Sequence, residues 1–493
     1  MNGEDLVDRR IVVGAGAVLA TGLATGCRGS RRGGGADGLT ASTTSPDWAE
    51  LDRLCAGGVY RPGTTGYESM LQLFNPRYDS VRPAAVVRAA NVMDVRQSVL
   101  FARRNGLVCV PRSGGHSYVG ASTVPNGIVI DLRALSSVVY RGGGVVAIGA
   151  GAKLYNVHAT LDRYGQSLPT GTCPTVGAGG LTLGGGMGPD TRAYGLTCDR
   201  VISMDVVLAD GRLVPANAEQ YPDLFWALRG GGGGNLGIVT NIRYRTIPAR
   251  TVGTFSLRWP LSRGLAVVRG WQRFAAEAPN SYWANVHLDA HSDGTVAVRA
   301  VGVSRTGSAT AAAGLLESMA GYRASSRSFA TRSHLDAVKY LGGGTTSPRT
   351  GFTAGSDVLR GPMDPAAINA MIAVVRARAA AGLTGSAILD PLHGLSAGQP
   401  SGGSSWPWRS ALGVIQWYAG LADHPASSAY SSARGWVTDG HHAVARFSAG
   451  GYVNYVEPGR SVASYYGASW TRLRALRAKY DPSHFFRSPY GIS

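Results

Sequence analysis

Two short stretches of this chain set side chains capable of chemistry inside runs of small residues. In VPRSGGHSYVGAS, residues 110–122, His116 stands among serines and glycines; in GTCPTVGAGGLTLGGGMG, residues 171–188, Cys173 opens a loop with little side chain around it. Glycine lacks a Cβ and lets backbone amides approach a bound group closely, at an entropic cost to folding. A ligand is therefore the first reading of both loops. Consecutive small residues after a strand can also turn successive N–H groups onto an anion, which suits a pyrophosphate. No Lys-Ser or Lys-Thr follows, so the phosphate-binding P-loop pattern fails. Taken alone, the His116 loop reads equally well as a structural turn.

The elements around these loops alternate between strand-like and helix-like runs. AAVVRAANVMDVRQSVLFARRNG has helical spacing, with Val92, Val95, Val99 and Leu100 on one face and a stop at Gly106. LVCVP, GIVIDL, VVAIGAG, VISMDVVLADGRLV and GIVTNIRYRTI read as strands bounded by turn residues, with ADG at 209–211 as a hairpin turn. A second region adds the strands TFSLRWP, YWANVHLDA, TVAVRAVGVS and SALGVIQWYAGL and the helices ATAAAGLLESMA and PAAINAMIAVVRARAAAG. SWTRLRALRAKYDP is a closing helix, with Leu473, Leu476 and Tyr480 sharing a face. The fold class is α+β. The expected organisation is a signal over 1–27, a Gly/Ser/Arg/Thr linker over 28–46, a cofactor domain over 47–250, a substrate domain over 251–447 and a C-terminal segment over 448–493.

The chain has 493 residues, 44% hydrophobic and 16% charged, which is an ordinary globular balance apart from its 70 glycines. Its formal charge of +18 is almost wholly arginine, the only lysines being Lys153, Lys339 and Lys479. No basic run is interleaved with aromatics, so a nucleic-acid partner is not expected. DRRIVVGAGAVLATGLATGC pairs Arg9 and Arg10 ahead of an apolar stretch too short for a comfortable membrane span, and resembles a twin-arginine export signal. LATGC resembles a lipobox with Cys27 as the lipid anchor, so an extracellular or cell-surface protein is expected. IVVGAGAVLA does not open a dinucleotide-binding unit, because CRGSRRGGG follows where a helix and an acidic residue are required. Cys55, Cys109, Cys173 and Cys198 allow two disulfides in an oxidising compartment, with the pairing open and Cys109 read as a core thiol.

Taken together, PRSGGHSYVG, GTCPTVGAGGLTLGGGMG, RAYGLTCDRVISMDVVLADGRLV, DLFWALRGGGGGNLGIVT and the late YDPSHFF strongly resemble the berberine bridge enzyme-like flavoprotein oxidases of the vanillyl-alcohol oxidase superfamily. The resemblance is close over about residues 70–250 and 448–490 and loose between them. It implies a PCMH-type FAD-binding domain of two α/β subdomains, a substrate domain with an antiparallel sheet covered by helices, and a C-terminal segment returning to the flavin domain. It also implies bicovalent FAD, with His116 bonded to the 8α-methyl and Cys173 to C6, so that the glycines of 177–188 pass along the isoalloxazine. Arg112, Ser113, Gly114, Gly115, Ser117, Gly177, Gly180, Gly188, Ile238 and Asn454 are the further cofactor-binding residues it implies, and no metal is expected.

For catalysis the resemblance implies Tyr455, in GGYVNYVEP, as the base, and Gln416, in VIQWY, as its hydrogen-bond partner. A tyrosine with an ordinary pKa of about 10 needs cationic or donor groups nearby to work near neutrality. Val176 matches the small residue associated with oxygen access, which favours an oxidase over a dehydrogenase. Leu181, Met187 and His484 depart from the family pattern and put substrate identity in doubt more than flavin attachment. The expected activity is oxidation of an alcohol, or of the anomeric hydroxyl of a sugar or glycoside, with O2 reduced to H2O2. Trp259, Trp271, Trp283, Trp406, Trp408 and Trp417 are candidates for stacking on a sugar. The alternatives are a tailoring oxidase of a secondary metabolite and a non-catalytic exported binding lipoprotein; intact His116, Cys173 and Tyr455 argue against the last. A small-molecule substrate and O2 are the expected partners, with no specific protein partner.

Overall fold

The computed structural model describes residues 45–488 and 490–492, so the expected signal, the Cys27 anchor and all but the end of the linker lie outside the described residues. Strands β1 (Val59–Tyr60), β2 (Ala85–Arg88), β3 (Cys109–Arg112) and β4 (Ile128–Asp131) form a sheet in the order β1-β2-β4-β3. Its last three strands are parallel. Parallel pairing needs a crossover, and the helix Val92–Arg104 supplies it between β2 and β3. Asn91 caps that helix through Met93 and Asp94 N–H. Its buried stripe runs through Val95, Ser98, Val99 and Ala102, spaced i, i+3, i+4 and i+7. Leu100 falls outside that stripe and is exposed, which corrects its assignment to the buried face.

The next strands are β5 (Val138–Gly142), β6 (Val145–Gly149), β7 (Gln166–Ser167), β8 (Val201–Val207), β9 (Leu213–Asn217), β10 (Ile238–Arg245) and β11 (Ile247–Pro248). Five of them make the antiparallel sheet β5-β6-β10-β8-β9, and β7 pairs β11 separately. The 209–211 turn does close the β8–β9 hairpin, with Val207 opposite Leu213.

Seven strands follow: β12 (Val252–Trp259), β13 (Tyr282–Ala290), β14 (Val296–Ser304), β15 (Ser326–Arg332), β16 (Gly351–Leu359), β17 (Gly385–Pro391) and β18 (Gly413–Leu421). They form one antiparallel sheet in the order β15-β12-β14-β13-β17-β18-β16. Side chains alternate along a strand, and on β18 Ile415, Trp417 and Ala419 enter a core shared with the helices Gly264–Glu277, Ala309–Ala320, Pro365–Ala380 and Ser427–Val444. Gln416 and Tyr418 therefore belong to the opposite face. Register sets Ser356 opposite Gln416, Gln416 opposite Ile388, and Ile388 opposite His287. Residues over a hundred positions apart in sequence are thus aligned on one surface.

The six tryptophans named above are buried, between 0% and 8% exposed, and do not present a stacking platform. Their indole N–H groups are largely spent inside the core, Trp271 on Ala284 O and Trp417 on Asp357, for example. The four cysteines of the described residues are unpaired thiols, with Cys55, Cys109 and Cys198 buried, so the expectation of disulfides is corrected. Burial pushes the Cys55 thiol up to about 11 and raises Cys109 and Cys198 as well, which leaves all three unreactive.

Candidate active site

Strand β3 ends at Arg112, and the chain passes directly into the His116 loop at the carboxyl edge of the parallel strands, where α/β sheets bind ligands. Among the described residues, none of the backbone N–H groups from Ser113 through Tyr118 donates to a protein acceptor. Such groups are almost always paired in native proteins, so the run is a ready donor array for an anion. The second loop crosses this one backbone against backbone. A Cβ on Gly177 would fall on Ser113 Oγ and Gly114 N, and one on Gly114 would fall on Gly177 N. These two glycines let the loops cross. Gly188 likewise packs on Thr170 O, whereas Gly180 is exposed and faces open space, with nothing within 4 Å of a Cβ added there.

His116 and Cys173 come together at one hydroxyl. His116 Nε2 lies 3.0 Å from Thr175 Oγ1, and Cys173 Sγ lies 3.7 Å from the same oxygen and 3.7 Å from Ser347 Oγ. The imidazole stacks on Phe74 with centroids 4.0 Å apart. Its pKa is pushed down to about 4, chiefly by burial, against a hydrogen bond to the Thr175 backbone that raises it, and further by the Lys153 cation, so the ring is neutral near pH 7. A donor array for a diphosphate, open space at Gly180, and a neutral imidazole beside a free thiol together fit FAD.

The other expected cofactor residues also make contacts within the protein. The Arg112 guanidinium is buried, donates to Met70 O and Ser122 O, and lies 3.6 Å from Asp131, so it braces the loop from behind. Ser113 Oγ donates to Ala150 O, Ser117 Oγ accepts Ala121 N–H, and Gly115 adopts φ +73° with its carbonyl accepting Phe74 N–H. Ile238 is fully buried in the core under the first sheet. Val176 is half-buried, its carbonyl accepting Leu154 N–H. Asn454 donates to Leu181 O and to Tyr452 Oη, which stitches the C-terminal segment to the glycine loop.

Tyr455 sits on the single 3-10 turn Val453–Tyr455, against that loop. Gln416 does not hydrogen-bond it: the Gln416 amide donates to Tyr118 Oη at 2.7 Å. Tyr118, two residues after His116, stacks on Tyr455 with centroids 5.1 Å apart and rings within 5° of parallel. Tyr452 meets Tyr455 edge-on at 4.9 Å. The expected lowering of the Tyr455 pKa is not found. Desolvation in this aromatic cleft, then the neighbouring Tyr118 and Asp390, raise it well above 10. Asp390, on β17, is pushed up to about 6 by burial, against a hydrogen bond from Asn285 Nδ2 at 3.3 Å. It acts electrostatically on both Tyr118 and Tyr455. Tyr118 could have been found in the sequence, since it shares the His116 motif; Asp390 carries no local signal.

A family model described as FAD binding domain matches residues 83–217, and one described as berberine and berberine like matches 451–493. The chain is 30% identical over 420 residues to an uncharacterized FAD-linked oxidoreductase, YgaK, of Bacillus subtilis (strain 168), covering 83% of this chain and 91% of that one. It is 28% identical over 469 residues to a carbohydrate oxidase of Microdochium nivale, covering 87% of this chain and 92% of that one. Among solved structures it matches the xylooligosaccharide oxidase from Myceliophthora thermophila C1 in complex with xylobiose, with a TM-score of 0.79, 25% identity and coverage of 90% of this chain and 98% of that one.

Proposed function

The chain belongs to the berberine-like family of FAD-linked oxidoreductases, and on that premise we propose that it is an oxidase with bicovalent FAD, acting on an alcohol or on the anomeric hydroxyl of a sugar or glycoside and reducing O2 to H2O2. One observation carries this reading: Tyr455 stacks on Tyr118, two residues from His116, so the base and both attachment residues share one cleft. FAD, when bound, supplies the two-electron acceptor. The protein holds it through the amides of residues 113–118 and through His116 and Cys173.

The substrate hydroxyl gives its proton to Tyr455 Oη. Tyr455 takes that proton in its deprotonated form, which burial and the charge of Asp390, present above about pH 6, hold to a small fraction near neutrality. Gln416 keeps the Tyr118 ring parallel to Tyr455 and thereby fixes the base. The polar row Asn285, Asp390 and Gln416 offers hydrogen bonds to a hydroxyl-rich substrate. The named carbohydrate oxidase and xylooligosaccharide oxidase relatives support a sugar. Export through residues 1–27, with lipid at Cys27, belongs to the same proposal.

The test is the purified protein after acid precipitation. We expect a yellow pellet and an intact mass increased by one FAD, followed by peroxide release in a screen of sugars and alcohols. A colourless pellet of unmodified mass refutes covalent attachment; oxidation of sugars only with an artificial acceptor refutes the oxidase assignment.

A further inference from the structure

Both residues assigned to flavin attachment touch the hydroxyl of Thr175, at 3.0 Å from His116 Nε2 and 3.7 Å from Cys173 Sγ. We propose that Thr175 is the positioning residue for flavin attachment: its Oγ1 accepts the Nε2–H of His116 and donates its own proton to the Cys173 sulfur, which sets both nucleophiles in their reactive forms. The inference rests on the bicovalent reading above.

Bond polarity carries the argument. An imidazole attacks carbon through a nitrogen that has a free lone pair, and in the neutral ring one nitrogen carries the proton. His116 meets Thr175 through Nε2, 3.0 Å from Oγ1, and a hydrogen bond to the Thr175 backbone raises its pKa, so the ring N–H faces Thr175 and Nδ1 is the nitrogen left for attack. Its lone pair is free only when the proton is on Nε2, and then Thr175 must accept. A hydroxyl that accepts from Nε2–H still has its own proton to donate, and the Cys173 sulfur is the second polar atom in reach. The opposite polarity, with Thr175 donating to Nε2, protonates Nδ1 and disarms His116. A thiolate is also the nucleophilic form of cysteine, and the sulfur has the hydroxyls of Thr175 and Ser347 each at 3.7 Å.

The backbone holds Thr175 in this place. Pro174 and Thr175 occupy a turn closed by Val176 N–H on Cys173 O at 3.4 Å. Pro174 O and Val176 O in turn accept Tyr155 and Leu154 N–H from the start of the helix Leu154–Asp162, pinning the chain on both sides of Thr175. The β-branched side chain adds a stiff χ1.

Each attachment exchanges one C–H bond of the flavin, and one N–H of His116 or S–H of Cys173, for a C–N or C–S bond. The two electrons and two protons set free pass to dioxygen, giving one H2O2 for each bond made.

The experiment compares wild type with Thr175→Val, which keeps the shape and loses the hydroxyl, and Thr175→Ser, which keeps the hydroxyl. Each is expressed with its flavin, denatured and digested with a protease. A doubly attached flavin joins the His116 and Cys173 peptides into one species, a singly attached flavin labels one of them, and an unattached flavin is released and counted. We expect Thr175→Val to lose the joined species at least tenfold while keeping total flavin, bound plus released, near one per chain; Thr175→Ser should return to within twofold of wild type. Thr175→Val with a wild-type yield of joined peptides overturns the proposal, and so does a Thr175→Ser variant as deficient as Thr175→Val. A wild-type digest without any flavin-bearing peptide overturns the bicovalent reading itself.

Discussion

The His116–Cys173 loop pair and the sheet face bearing Gln416 and Asp390 meet at the Tyr118–Tyr455 stack, yet they are built by opposite means. The loops work through backbone. Among the described residues, the N–H groups of residues 113–118 in the first loop have no protein acceptor, and one glycine from each loop lets one chain lie on the other. The sheet face works through side chains, aligned by antiparallel register and fastened by a buried ion cluster. His441 reaches Asp357 on β16 at 2.6 Å and Glu457, two residues after Tyr455, at 2.9 Å. Arg434 and Arg460 complete the pairing of the two carboxylates. The difference teaches where each part is vulnerable: the glycines at the loop crossing cannot accept a Cβ, and the face cannot lose the side-chain groups that align Tyr118 and Tyr455.

The largest effect should come on the side-chain half. Tyr455→Phe removes one oxygen and should lower kcat by about 10²–10⁴-fold, the usual range for a lost general base. The flavin absorbance should stay, because the loops that hold it are untouched. Steady-state kinetics on protein of matched flavin content measures this, and unchanged kcat refutes the role of Tyr455.

Next is the ion cluster. Although burial alone lowers the His441 pKa, hydrogen bonds to Asp357 and Glu457 raise it to about 9, against an ordinary value of 6.5. A folded-state pKa above the unfolded one gives a stabilisation that is complete below about pH 6.5 and is lost as pH rises through about 9. At one unit per 1.36 kcal/mol, it amounts to about 3 kcal/mol. Thermal unfolding across pH 6 to 10 should show this loss in wild type, and His441→Gln should flatten it. Parallel curves for the two proteins would show that the cluster does not fasten the Tyr455 segment in this way.

On the backbone half, Gly177→Ala forces a Cβ onto Ser113 Oγ and Gly114 N and should cost about 1–3 kcal/mol, together with flavin content. Gly180→Ala, with open space around it, should unfold within about 0.5 kcal/mol of wild type and lose flavin only if the cofactor fills that space. Denaturant unfolding with a flavin count separates the pair; equal losses of stability in both would remove the distinction between a glycine for crossing and a glycine for clearance.

Much of the cradle was legible because its signals are local. A strand such as LVCVP followed by small residues, and a glycine run beginning at a cysteine, specify backbone geometry within a few positions. The helix Val92–Arg104, the β8–β9 hairpin and the helix Ala309–Ala320 were likewise written in periodicity and turn residues. Fold class and the placing of His116 and Cys173 in ligand loops follow from such short-range patterns; FAD and the candidacy of Tyr455 came from the family resemblance. Other features depended on which surfaces meet. Gln416 gives its amide to Tyr118, 298 positions away, because register and the stitching of residues 452–455 to the glycine loop bring those rings together. Asp390 joins Tyr455 only through the pairing of β17 with β18 and β13. Tyr455 is raised in pKa and not lowered because desolvation depends on the whole cleft. Short-range sequence fixes what the backbone can do, since φ and ψ respond to neighbouring residues; long-range packing decides which side chains share a dry pocket, and it sets their partners and their protons.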